Sequence, residues 1–166
     1  MLRQQRELVL LGTTDVHTRV YPFDYYTQQE TPYGLARLKP LVDSVRAANA
    51  GRTYLFDSGD LLQGNPLGLV YARQYANQPH PVIRAMNLLG YSASTIGNHE
   101  YNYGITHLNR ALSTAKFPFV TGNVFKHGTN EHAYRPYVLI PHVAAPGDTI
   151  LIGVTGNTPP GVHIWD

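Results

Sequence analysis

The chain of 166 residues contains no cysteine. This absence excludes disulfide bonds, thiolate metal sites and cysteine nucleophiles. It does not indicate a compartment, because cysteine-free chains occur in both oxidising and reducing compartments. The chain does contain eight histidines. Any metal or acid–base chemistry therefore has to use histidine together with carboxylate or amide side chains.

Long apolar runs are also absent. The apolar stretches are short, such as residues 8–11, and fall far short of the roughly 20 apolar residues that span a bilayer, so we expect no membrane span. Residues 1–7 carry Arg3, Arg6 and Glu7, which is unlike a secretory signal.

Charge is scarce and nearly balanced. Lys and Arg number 13 against 11 Asp and Glu, and charged residues make up only 14% of the chain. Without a basic stripe, a nucleic-acid polymer is disfavoured as a partner. With 43% hydrophobic residues the chain is expected to form one globular domain, since length and composition both suit a buried core.

Five short apolar runs end in small or polar clusters and alternate with amphipathic stretches. This rhythm predicts an α/β fold whose strands are mostly buried on both faces. The predicted strands cover residues 8–11, 53–56, 93–96, 117–120 and 149–154.

Apolar residues at helical spacing predict three helices between the strands. Pro40 has to occupy an early turn or a kink of the first helix, Gly90 closes the second in the left-handed conformation, and Thr106 is a candidate N-cap of the third. The helices cover residues 35–45, 82–89 and 106–115, the surface loops 21–33 and 126–136, and residues 61–77 are part loop and part helix.

Polar clusters follow the first two strands. Asp15 and His17 are two residues apart, so in extended backbone a carboxylate and an imidazole point to the same side and can approach one cation. Asp60 follows Gly59 at the end of the second strand and is a better ligand candidate than Asp57, which is placed to hydrogen-bond its own turn. The carboxyl ends of strands are where α/β proteins bind ligands, so these clusters are expected to share one crevice.

A third cluster, 97–100, follows the third strand with the sequence G-N-H-E. The Asn98 carbonyl suits a hard or borderline cation, whereas His99 can ligate a metal or transfer a proton near neutral pH. Taken alone, each cluster also fits an ordinary turn with an incidental histidine, and only the three together indicate a site.

The order D-x-H, G-D and G-N-H-E, each after a strand, resembles the calcineurin-like metallophosphoesterase superfamily. Longer matches resemble its 5′-nucleotidase family, and most closely the bacterial 2′,3′-cyclic-nucleotide 2′-phosphodiesterase/3′-nucleotidases. These matches lie at 32–37, 59–64, 97–104 and 158–161, with Trp165 and Asp166 at the end.

The resemblance implies a site with two divalent metal ions. By it, Asp15 and His17 would hold one ion, Asp60 would bridge both, and Asn98 would hold the second. Mn, Zn, Mg, Co and Fe are not distinguished by such ligands.

The resemblance also implies a catalytic pair. His99 would stabilise the transition state or protonate the departing sugar oxygen, and Asn102 would orient it where many 5′-nucleotidases have aspartate. One departure is Thr18, which stands where the superfamily usually has glycine after D-x-H.

The fold implied is the N-terminal half of a four-layer α/β/β/α sandwich, a mixed sheet flanked by helices, with residues 1–166 as the first portion of the metallophosphoesterase domain. The later G-H-x-H motif of the family does not occur in the chain. We interpret the histidines that follow His99 in the chain as solvated surface residues, namely His107, His127, His132, His142 and His163.

The implied function is metal-dependent hydrolysis of 2′,3′-cyclic nucleotides and then 3′-nucleotides, with little or no activity from this chain alone. A 5′-nucleotidase or UDP-sugar hydrolase of the same family, and a non-catalytic module that binds a metal or a partner, remain alternatives. The resemblance further implies a small nucleotide substrate and export to the periplasm or cell wall. Self-association through an exposed sheet face is expected as well.

Overall fold

A computed structural model describes residues 6–165, apart from the side chains at positions 163 and 165. The strands are β1 Val9–Thr13, β2 Phe23–Asp24, β3 Gln29–Glu30, β4 Thr53–Asp57, β5 Ala93–Thr95, β6 Phe119–Val120, β7 Tyr137–Ala145 and β8 Asp148–Thr155. The helices are α1 Leu35–Ala48, α2 Pro66–Arg73, α3 Pro81–Leu89, α4 Ile105–Ser113 and α5 Val162–Trp165. Among the described residues, no helix is both long enough and apolar enough to cross a membrane.

The central sheet has the strand order β1-β4-β5-β6 and is parallel throughout. The predicted α/β class is confirmed, with helices connecting and flanking the strands. Thr13 lies opposite Asp57, and Asp57 lies opposite Ser94, so the carboxyl ends of three strands are aligned side by side. Antiparallel pairing occurs in separate two-stranded sheets, β2-β3 and β7-β8.

The sequence interpretation missed strand β7. Pro141 and the preceding Pro136 argue against a strand when they are considered locally. In the structure β7 pairs only with β8, with Pro141 opposite Leu151, and a strand paired on one side tolerates proline. The loop predicted at 21–33 also contains the short β2-β3 hairpin.

The three predicted helices are present. Helix α1 continues through Pro40, and Gly90 ends α3 with φ 68 and ψ 53, as expected. Thr106 is not the N-cap of α4, because the turn at Gly104, with φ 82, already starts the helix at Ile105.

Two of the histidines assigned to the surface are buried. His107 is only 9% exposed because it shares the buried face of α4 with Leu108 and Ala111. His142 is 7% exposed, and its Nδ1 lies 2.9 Å from the hydroxyl of Tyr54, where the β7-β8 hairpin packs on β4. The prediction is confirmed for the other two described side chains, His127 and His132, whereas the side chain of His163 lies outside the described residues.

Candidate metal centre

The turns that follow β1 and β4 are joined by backbone hydrogen bonds. The N–H groups of Asp15, His17 and Thr18 donate to the carbonyl oxygens of three consecutive residues at 59–61, over 2.8 to 3.1 Å. The turn after β5 also lies against the turn after β4, since a Cβ on Gly59 would lie 2.5 Å from the backbone nitrogen of Gly97. The three predicted clusters therefore meet at one edge of the sheet.

The backbone at this edge is strained. Asp15, His17, Thr18 and Asp60 have φ between 46 and 61, in the left-handed region. They are four of the five non-glycine residues with positive φ among the described residues. Such conformations are costly for side chains other than glycine and concentrate at functional sites.

His17, Asp60 and His99 each place a ligand atom within 4.8 Å of the others. The rings of His17 and His99 are edge to face with centroids 5.1 Å apart. Asp15 lies beside this group, with its Oδ1 3.8 Å from Nε2 of His17, and is mostly exposed. The imidazole of His17 and the carboxylates of Asp15 and Asp60 form a donor set that suits a divalent transition metal, so these residues fit the implied ions.

The ring of His17 is oriented by a hydrogen bond to the backbone. Its Nδ1 lies 2.7 Å from the carbonyl oxygen of Gln63 and donates to it. This bond leaves Nε2 as the ligating nitrogen, an arrangement that is typical of metal-binding histidines.

His99 is held at two points. Its backbone N–H donates to Oδ1 of Asp60 over 3.0 Å, and its Nδ1 lies 2.7 Å from Oδ1 of Asn102. Since an amide oxygen can only accept, Nδ1 carries the proton and Nε2 is available for a substrate or a metal. Asn98 precedes His99 in the same turn and is half-buried. The structure thus places all six predicted site residues at the same edge of the sheet.

Glu100 supports the candidate centre, and the sequence interpretation gave it no role. It is fully buried, and its carboxylate accepts hydrogen bonds from the backbone N–H groups of Asp60, Leu61, Leu62 and Gly97. Burial raises the pKa of the Glu100 carboxyl, and the four N–H donors oppose that rise. Glu100 therefore fixes the turn bearing Asp60 against the turn bearing His99, and its place in G-N-H-E was the signal that could have revealed it.

Asp57 belongs to the support of the site. Its buried carboxylate accepts hydrogen bonds from the hydroxyls of Thr13 and Ser94 and from the N–H of Gly59. Burial raises its pKa, and these hydrogen bonds work against the rise. This arrangement matches the structural role expected for Asp57 and connects the three strands beneath the centre.

Comparisons with known proteins identify the family of the chain. The chain is 40% identical to the 2′,3′-cyclic-nucleotide 2′-phosphodiesterase/3′-nucleotidase of Yersinia enterocolitica, over 96% of this chain and 26% of that protein. It is also 40% identical to the trifunctional nucleotide phosphoesterase protein YfkN of Bacillus subtilis, over 98% of this chain and 12% of that protein. The crystal structure of calcineurin-like phosphoesterase YfkN from Bacillus subtilis superposes with a TM-score of 0.84 at 38% identity, covering 96% of this chain and 50% of that one. No protein-family model matches the chain.

The fold is that of a calcineurin-like phosphoesterase. Within that superfamily, the chain belongs to the nucleotide phosphoesterases of the 5′-nucleotidase family, as its sequence motifs indicated. It spans about a quarter of the length of the Yersinia relative and about an eighth of the Bacillus one.

Proposed function

We propose that this chain supplies the N-terminal part of a catalytic domain that hydrolyses 2′,3′-cyclic nucleotides and 3′-nucleotides with the help of two divalent metal ions. The observation that carries the proposal is the convergence of His17, Asp60 and His99 within 4.8 Å at the carboxyl ends of parallel strands. The match to only 26% of the Yersinia relative supports the view that further residues complete the domain.

Asp15, His17, Asp60 and Asn98 are the residues that would hold the ions, with Asp60 between them. Divalent ions at such a site polarise phosphoryl oxygens and make bound water acidic enough to attack near neutral pH. The chain prepares this site in two ways. The carbonyl of Gln63 orients His17, and the backbone contacts of Glu100 hold Asp60 in place.

His99 is proposed to act on the substrate. With Nδ1–H donated to Asn102, protonated Nε2 can deliver a proton to the departing sugar oxygen as a general acid. Asn102 is a positioning residue, because it touches the ring and not the reacting atoms. As a neutral acceptor it fixes the ring without the compensating negative charge of an aspartate.

The 5′-nucleotidase or UDP-sugar hydrolase activity of the same family is the alternative. Asn102 favours the cyclic-nucleotide branch, in which asparagine is common at this position, and the activity in the name of the Yersinia relative points the same way. We also propose that the complete protein is exported, on the strength of the family resemblance.

The first test measures metal binding by calorimetry with Mn²⁺ and needs no turnover. We expect His17→Ala and Asp60→Asn to weaken binding at least about 10-fold, since each removes a ligand. His132→Ala, which changes an exposed histidine away from the centre, is the matched control and should bind as the wild type does.

The variant His99→Ala separates the two roles open to that ring. If His99 acts on the substrate, the variant keeps metal affinity within about threefold. A loss as large as that of His17→Ala would identify His99 as a ligand and contradict its assignment as general acid.

The second test measures hydrolysis of 2′,3′-cyclic AMP, 3′-AMP and 5′-AMP with Mn²⁺. We expect little turnover by the chain alone, and turnover of the first two substrates by a chimera in which the chain replaces the matching segment of the Yersinia relative. In the chimera His99→Ala should lower kcat about 10²- to 10⁴-fold. Preference for 5′-AMP would support the alternative, and a folded, metal-binding chimera without turnover would favour a non-catalytic module.

A further inference from the structure

His80 and His107 form a buried pair outside the candidate metal centre. They are 2% and 9% exposed, and their rings meet edge to face with centroids 5.6 Å apart. His80 is the N-cap residue of α3, and His107 lies in the first turn of α4. Tyr71 of α2 contacts the first ring and Tyr103 contacts the second, with centroids at 6.2 and 5.5 Å.

None of the four ring nitrogens has a hydrogen-bond partner among the described residues. A buried polar atom without a partner is unfavourable, so the pair adds little to stability even when it is neutral. The rings border a cavity of about 10 Å³, which has room for one water-sized molecule. The other residues that line it are Ala76, Gln78, Arg110 and Ala111.

The charges around the pair are unfavourable to any added cation. Arg110 of α4 lines the cavity and donates to the carbonyl oxygen of Ala76 over 2.9 Å. The other titratable groups nearby are Tyr71 and Arg73 of α2, Tyr75 just beyond the end of α2, and Tyr103, with which Arg73 interacts electrostatically. Among the described residues that line the cavity or contact the rings, none is acidic. A metal ion or a proton placed here would therefore meet positive charge and no carboxylate.

We propose that His80 and His107 form an acid-sensitive latch between the start of α3 and the first turn of α4. In the closed form both rings are neutral, buried and packed against each other. The latch opens, exposing the rings to solvent, when either ring takes up a proton. Tyr103, which packs on His107, directly follows Asn102, the partner of His99. Opening therefore loosens the segment that orients His99. This consequence rests on the proposed function, whereas the latch itself does not rest on it.

The direction of the pH dependence follows from the burial of the neutral rings. Burial, with a contribution from His107, lowers the pKa of His80 to about 3, and burial together with Arg110 lowers the pKa of His107. In the open form the pKa of an exposed histidine ring returns to about 6.5. The closed form is most stable relative to the open form above pH 6.5, where the rings are neutral in both forms. This relative stability is lost as the pH falls from 6.5 toward 3, because the exposed rings of the open form take up protons first. For His80 alone, the opening equilibrium rises about 25-fold between pH 7 and pH 5.

Hydrogen–deuterium exchange of residues 98–112 tests the latch, with rates corrected for the intrinsic effect of pH. In the wild-type chain we expect protection of this segment to fall at least about 25-fold from pH 7 to pH 5, while β4 stays protected. The double variant His80→Phe/His107→Phe keeps two aromatic rings that cannot be protonated, so its protection should not change. The control His127→Phe removes an exposed histidine and should behave as the wild type does.

A second measurement needs only the wild-type chain, in case the double variant does not fold. Proton NMR of the histidine rings should show His80 and His107 neutral at pH 5 in the closed form. If either ring is protonated between pH 7 and pH 5 while residues 98–112 keep their protection, the latch is overturned. An equal loss of protection in the wild type and the double variant would overturn it too. Neither result bears on metal binding at His17 and Asp60, so the proposed function is tested separately.

Discussion

Thr18 shows at the scale of one residue how the candidate centre tolerates strain. It is a β-branched residue with φ 58, fully buried, directly after His17. Its hydroxyl is shared between the carbonyl oxygens of Leu61 and Leu62, at 2.9 and 3.1 Å. The left-handed backbone costs about 1–2 kcal/mol, and the buried hydrogen bonding offsets part of that cost. Thr18 therefore adopts a backbone conformation that glycine would reach without this cost.

We predict that Thr18→Ala destabilises the chain more than Thr18→Gly does, by about 1 kcal/mol. Both variants lose the hydroxyl, but only glycine relieves the positive φ. Urea unfolding of the two variants measures the difference.

Thr114 provides the matched control for that prediction. It is half-buried, ends α4 with φ −94, and also donates its hydroxyl to a backbone carbonyl. There the order should be reversed, with alanine more stable than glycine. If alanine is also the more stable replacement at position 18, strain at Thr18 does not contribute to the energetics of the centre.

At the scale of elements, the end of β8 supports the end of β5. The carbonyl oxygen of Gly156, which follows β8, accepts from the N–H of Gly122 over 2.7 Å, and the hydroxyl of Thr158 donates to the carbonyl of Ile96 over 2.7 Å. A Cβ at Gly156 would lie 2.1 Å from Cγ2 of Thr95, the last residue of β5. The segment after β8 is therefore packed directly below the turn that carries Asn98 and His99.

We predict that Gly156→Ala destabilises the chain by about 1–3 kcal/mol, because the added methyl group has to displace Thr95 and the end of β5. Chemical denaturation, with Gly12→Ala as the control, measures this effect. A Cβ at Gly12 would meet nothing within 4 Å, so that variant should lie within about 0.5 kcal/mol of the wild type. Equal stability of the two variants would contradict the packing described for β8.

At the scale of the whole molecule, the β7-β8 hairpin exposes apolar side chains on its outer face. Tyr137, Leu139, Val143 and Leu151 are 51% to 66% exposed. The opposite face, with Ile140, Ile150 and Ile152 among its members, is half-buried. A contiguous apolar surface of this kind favours association, and we propose that the isolated chain pairs with a second copy through it.

We predict that the chain shows concentration-dependent self-association in sedimentation velocity. The double variant Leu139→Lys/Leu151→Lys should shift it to monomer, because burying an unpaired lysine opposes the contact. The control Leu88→Lys makes the same change at a leucine of α3 that is 78% exposed, and it should associate as the wild type does. A monomeric wild-type chain at all concentrations would contradict the prediction.

Several features of this protein could be read from local sequence. The apolar runs that contribute to β1, β4, β5, β6 and β8 carry their own signal, although β1 and β8 are half-buried and exposed in alternation and not buried on both faces as expected. Gly90 carries its own signal for the end of α3. The candidate site was also predictable, because D-x-H, G-D and G-N-H-E each follow a strand and parallel strands bring their carboxyl ends together.

Other features were decided only by the tertiary structure, because they depend on which distant residues become neighbours. Strand β7 contains Pro141 and exists through its pairing with β8. His107 and His142 are buried by partners far away in the chain, His80 and Tyr54. The role of Glu100 arises from donors about 40 residues earlier, whose N–H groups only the folded chain brings to its carboxylate. Sequence alone determined which residues could carry the chemistry, and long-range packing decided how they are held, since burial and hydrogen-bond partners are properties of the assembled chain.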